Sequence, residues 1–144
     1  TIVNSSSRGI KQYTGENNTF YNSSFSGNSI DVEARSSVNN NCLIFINSNL
    51  NKSKVLTPLN LCRVEVKWYV LVNVTNSSGS AIGNVTITSY DILNNLEETQ
   101  LTNSQGMAQL KVTEFYQKGD INYYIDPHLI IASKNLFSRI TLHA

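Results

Sequence analysis

Two cysteines, seven glycosylation sequons, a pair of acids and one Asp-Pro-His triplet are the groups whose type and spacing could carry chemistry in this 144-residue chain. Cys42 and Cys62 have 19 residues between them. In a chain rich in Asn, Ser and Thr, a lone pair of cysteines reads as an extracellular disulfide. On the loop-entropy model that bond constrains the unfolded chain by about 3 kcal/mol. Two buried free thiols in a cytosolic protein form the competing reading. The only histidines, His128 and His143, lie far from both cysteines in sequence, which argues against zinc. Asn4, Asn17, Asn22, Asn51, Asn73, Asn76 and Asn84 each open an Asn-x-Ser/Thr acceptor for N-linked glycans. Composition alone would produce about four such sequons, so their positions matter more than their number.

Asp31 and Glu33 fall on one face of a strand, ~6.6 Å apart along it. Paired carboxylates near that distance can act as general acid and as nucleophile or base. Arg35 shares the face and no further acid recurs beside it, which favours solvated strand-face charge. Asp126-Pro127-His128 offers two ligand types, but a proline turn bearing an exposed His is the commoner arrangement. Tyr116, Tyr123 and Tyr124 could stack on pyranose rings, in competition with half-buried strand packing. No Ser-His-Asp order, Gly-rich phosphate loop or metal-spaced His cluster appears. These residues predict a non-enzymatic protein without metal or cofactor.

Composition narrows the setting. The chain holds 20 Asn, 18 Ser and 11 Thr, about a third of its length, and only 15% charged residues with a net charge of +1. So weak a charge leaves no electrostatic footprint for nucleic acid or an anionic membrane. The longest apolar runs, Trp68 to Val72 and Leu129 to Ala132, fall far short of the ~18 residues of a membrane span. Thr1 opens on a strand-like segment with no signal-peptide pattern.

The elements that must position these residues are all strands. No apolar stripe with helical spacing recurs. From Arg63 to Thr75, Val64, Val66, Trp68, Val70, Val72 and Val74 fall on one face, the mark of a half-buried strand. Trp68, at mid-strand, is expected to anchor that core, burying roughly 150–250 Å². Asn76 to Gly79 turns the chain. Strands follow at Asn84 to Tyr90 with Val85 and Ile87 inward, at Glu97 to Thr102, and at Met107 to Phe115 with Ala108, Leu110 and Val112 inward. Others follow from Ile121, with Ile121, Tyr123 and Ile125 inward, at Leu129 to Ser133 and at Leu136 to Leu142. About seven short strands with turns every 8 to 15 residues predict an antiparallel sandwich over residues 63–144. Asn73, Asn76 and Asn84 then fall on outward faces or in turns.

Residues 1–62 carry a weak repeat. Thr19 to Phe25 aligns with Ile44 to Leu50 at an offset of 25, and Ile2 to Ser6 with Phe20 to Ser24 at an offset of 18. Short strands with Asn-rich corners at such a period predict rungs of a parallel β-helix, with Ile30, Val32 and Ala34 inward on one of them. A solenoid of two or three rungs is marginal alone, so further rungs or a neighbouring subunit are expected to complete it.

The whole arrangement resembles the C-terminal ends of archaeal cell-surface proteins that join a right-handed β-helix to a small β-sandwich. The resemblance rests on the closing rung Asn41 to Val55, on Val64 to Val74, and on three blocks similar to transthyretin-like or carboxypeptidase-regulatory-like sandwiches. Those blocks are Asn76 to Gly79, Ser80 to Ile87 and Thr102-Asn103-Ser104-Gln105-Gly106. Ala81-Ile82 stands where such domains usually carry a proline. The resemblance implies surface display and brings no catalytic residue. The expected function is a glycosylated extracellular structural subunit of a filament, sheath or surface layer. It would self-associate through strand edges, with Thr1-Ile2-Val3 and Ile140-Thr141-Leu142 as candidate donors. The alternative is an adhesin or carbohydrate-binding module that contacts cell-surface glycans.

Overall fold

A computed structural model describes residues 2–15, 17–36 and 41–134. Among them the chain is all-β, apart from one 3-10 turn at Lys52–Lys54. Thr1 and the segments Leu136 to Leu142 and Ile140-Thr141-Leu142 lie outside or run beyond the described residues.

The first seven strands are β1 (Ile2–Asn4), β2 (Arg8–Gln12), β3 (Asn18–Tyr21), β4 (Ser24–Ser26), β5 (Ile30–Ala34), β6 (Asn41–Ile46) and β7 (Val55–Leu56). They pair only in parallel, in three ladders that the chain visits in turn. β1 lies on β4, β2 on β5 and β5 on β7, and β3 on β6. The long strand β8 (Arg63–Asn73) continues the third ladder, parallel to β6. Thr19 pairs Ile44 and Phe20 pairs Phe45, the expected offset of 25. The offset of 18 is corrected. Ile2 pairs Ser24, 22 residues on, so β1 stacks on β4 and not on β3. The Asn-Ser-Ser match at 18 joins two different corners of the winding.

Corners explain much of the Asn content. Asn17, Asn22, Asn47, Asn60, Asn84 and Asn94 all hold a positive φ, the left-handed region that Asn tolerates better than other residues with a Cβ. Equivalent corners then bond to each other. Asn47 Nδ2 donates to Asn22 Oδ1 at 2.6 Å, and Ser23 N to Ser48 Oγ at 3.0 Å. A second corner ties three windings together. Ser5 N donates to Asn28 Oδ1 (2.7 Å), Asn28 Nδ2 to Asp31 Oδ1 (3.0 Å), and Asn51 N to Asp31 Oδ2 (2.8 Å).

The remaining strands are β9 (Thr86–Tyr90), β10 (Leu96–Leu101), β11 (Met107–Lys118), β12 (Ile121–Tyr124) and β13 (Leu129–Ser133). All pair antiparallel. β11 lies on β8, β12 on β11, and β9 sits between β10 and β13. One five-stranded sheet, β12-β11-β8-β6-β3, therefore crosses from the sheet half into the coil half. The turn at Thr102 to Gly106 shows why those residue types stand there. Asn103 Oδ1 accepts from the N–H groups of Gln105 and Met107 (2.9 and 3.0 Å). A Cβ on Gly106, at φ +73°, would come within 2.4 Å of the Val74 carbonyl oxygen.

Two cores form, and β8 serves both. The first gathers Phe25, Val32, Phe45, Val55, Val64, Val66 and Phe115. Phe20 stacks on Phe45 (centroids 5.2 Å apart) and Phe25 meets Phe45 edge-on. The second gathers Val85, Ile87, Ala108, Leu110 and Val112, with Val70, Val72 and Val74 against it. A bulge in β11 between Thr113 and Phe115 switches which face points inward, so Leu110 and Phe115 can both be buried. Trp68 departs from expectation. It is half-buried, packs against the first core, and donates from Nε1 to Oε2 of the bulge residue Glu114 at 2.6 Å. Ile121 and Tyr123 are exposed rather than inward, while Ile125 is buried.

Candidate functional site

The Cys42–Cys62 disulfide joins the start of β6 to the residue before β8, with Cα atoms 5.4 Å apart and both residues buried. It fastens two neighbouring parallel strands where no hairpin can do so. All seven sequon asparagines, Asn4, Asn17, Asn22, Asn51, Asn73, Asn76 and Asn84, are exposed. Asn51 Oδ1 accepts from Ser53 N, and Asn76 Oδ1 from Ser78 N and Ser80 N. In both, the oxygen does the local bonding, whereas a glycan would attach to Nδ2.

The paired acids are not solvated, which corrects that expectation. Asp31 is buried in the corner described above, and Glu33 has no exposed surface. Arg8 and Arg35 bind the two Glu33 oxygens, and Lys11 Nζ stands 3.8 Å away. Burial alone would raise the Glu33 carboxyl. The hydrogen bonds and charges of Arg35 and Arg8 outweigh it and hold the group below its ordinary range. With both oxygens occupied by guanidinium groups, Glu33 acts as an ionic staple between windings, not as a catalytic acid. Glu65, equally buried on β8, is ion-paired within its own strand, with Arg63 and with Lys67 at 3.3 Å. His128 is also less exposed than expected. Its Nε2 lies 2.8 Å from Glu97 Oε2 and its Nδ1 3.2 Å from Asp126 Oδ1. Among the described residues no three His, Cys, Asp or Glu side chains gather as a metal site. Tyr116 stacks on Tyr123 at 4.5 Å, and the Arg63 guanidinium stands 5.1 Å from the Tyr116 ring. Those two neighbours engage Tyr116, and Tyr124 leans on Phe115 instead, so the three tyrosines form no common platform.

Strand edges differ sharply in their protection. The part of β11 beyond the reach of β12 would present bare N–H groups. Two carboxylates from β10 cover them. Glu97 Oε1 and Oε2 accept from Thr113 N (3.1 and 3.2 Å), and Glu98 Oε2 accepts from Lys111 N. Sequence reading missed this role, although Glu97-Glu98 is the one place where two acids adjoin. Among the described residues, the ends of the five-stranded sheet carry no such cover. β12 is exposed at all four residues, and on β3 only Phe20 is half-buried. Neither strand has a charge or a proline, the usual guards of an edge.

Beside β3 opens a cleft of about 490 Å³, lined by Ile10, Lys11, Gln12, Tyr13, Phe20 and Leu43 among others. Gln12 is buried, its Nε2 donates to the Gly15 carbonyl at 2.6 Å, and its buried Oε1 has no hydrogen-bond partner among the described residues. No protein-family model, curated protein or solved structure matches the chain.

Proposed function

We propose that the chain is a non-enzymatic, extracellular structural subunit that self-assembles into a filament, sheath or surface layer. In this reading residues 1–62 are rungs of a short parallel β-helix and residues 63–144 an antiparallel sandwich, the arrangement of the archaeal surface proteins that the sequence resembles. The observation that carries the reading is the contrast between edges. Glu97 and Glu98 cover the part of the β11 edge that β12 leaves open, while among the described residues β3 and β12 stay bare. An unguarded edge is a template for another chain. The Cys42–Cys62 disulfide supports an oxidising location, and seven exposed sequon asparagines support N-glycosylation there. Sedimentation velocity and electron microscopy of the purified chain test assembly. Ordered polymers are expected, and a monomer at every concentration would sink the proposal.

A second reading, carbohydrate recognition by an adhesin module, rests on the cleft beside β3. Tyr13 is 60% exposed there, and Lys11 and Gln12 line the same cleft. Binding to a glycan array by dispersed monomers would favour it.

A further inference from the structure

The five-stranded sheet has a property that its two bare edges do not reveal singly. β3 runs parallel to β6 and β6 to β8, while β11 reverses the direction and β12 restores it. The two terminal strands therefore point the same way at opposite ends of one sheet. Each has four residues. Across the sheet, one row of inward side chains runs unbroken: Phe20 opposite Phe45, Phe45 opposite Val66, Val66 opposite Phe115, and Phe115 opposite Tyr124. It is aromatic at both ends. At the β3 end Phe20 has Phe45 on one side and the cleft on the other. At the β12 end Tyr124 is 58% exposed.

We infer that β12 of one copy pairs in parallel with β3 of the next, placing Tyr124 beside the neighbour's Phe20 and Tyr123 beside its Thr19. This inference rests on the self-assembly reading and names its interface. In that register the aromatic row continues from copy to copy. Tyr124 enters the neighbour's cleft beside Phe20. Backbone bonds supply the affinity and the alternating side chains the register. Neither strand brings a charge into the seam. Because the two surfaces differ and face opposite ways, the contact is head-to-tail: each copy bound leaves a further edge free, so copies add in series, not as a two-fold dimer.

Two single-edge variants of the chain, made without glycans, test this. Tyr124→Lys puts a charge on β12, and Thr19→Lys puts one on β3. Tyr123→Lys serves as a second β12 variant if the first melts well below the parent. The parent should polymerise, and each variant alone should remain monomeric by sedimentation. A one-to-one mixture of a β12 variant with Thr19→Lys should form dimers that grow no further, since each partner retains one good edge. If the variants polymerise like the parent, if one of them dimerises by itself, or if the mixture stays monomeric, the β12-to-β3 contact is wrong although self-assembly stands. A parent that is monomeric throughout overturns both.

Discussion

The two halves of the molecule share β8 yet hold their strands by different means. In the coil half, parallel neighbours are 21 to 25 residues apart in sequence, so no tight turn can set their register. Side chains set it instead. Like residues stack in columns, Asn and Ser bond from corner to corner, buried Glu33 holds Arg8 of the preceding winding, and a disulfide crosses between strands. In the sheet half, short turns such as Asn103 to Gly106 fix the register directly. Its core is made of small aliphatic residues, and β12 and β13 are exposed throughout. Parallel winding thus concentrates specificity in side chains, whereas antiparallel hairpins place it in turns.

The largest expected effect breaks the coil half. Phe45 is fully buried between Phe20 and Phe25, and Phe45→Ala should cost about 3–5 kcal/mol in denaturant unfolding. Because Val64, Val66 and Phe115 belong to the coil core but lie on β8 and β11, both halves should melt in one transition. Two separated transitions would show that β8 does not couple them. Next, replacing Cys42 and Cys62 by Ala should lower stability by about 3 kcal/mol. Hydrogen exchange should quicken first in β6 and the start of β8. Equal quickening in β9 would erase the contrast between halves. The smallest effect is pH-dependent. Glu33 is held below its ordinary range in the folded chain, so its contribution is complete above the unfolded value of about 4.3. It is lost as pH falls through the lower folded value. Glu33→Gln should flatten the acid limb of a stability–pH curve. An unchanged limb would mean that the ionic staple contributes nothing.

Strand positions were legible wherever the period was clean. The 63–75 alternation matches β8 (Arg63–Asn73) with Val64 and Val66 buried, and the 25-residue repeat matches the β3–β6 register. Three features were not legible. Asp31 and Glu33 look solvated because alternation assigns them outward, and only the winding brings Arg8 over Glu33 and Asn51 over Asp31. Ile121 and Tyr123 look inward because the strand alternates, yet the bulge in β11 puts Phe115 opposite Tyr124 and so Tyr124, not Tyr123, on the inner face. Trp68 looks like a core anchor, but Glu114, in the bulge beside the Trp68–Val112 pair, takes the indole N–H, a pairing 46 residues apart that no local pattern encodes.

A subunit of the proposed surface assembly would be pulled as well as folded, and β8 decides how force crosses it. Eleven residues long, it is bonded on one side to β6 and on the other to β11. Tension along its axis would load the β11 ladder in shear, because antiparallel bonds run perpendicular to the strands. Such bonds share the load and yield together, where a hairpin pulled open from its end loses them one at a time. The shared strand is thus placed to act as a tensile link between the two halves.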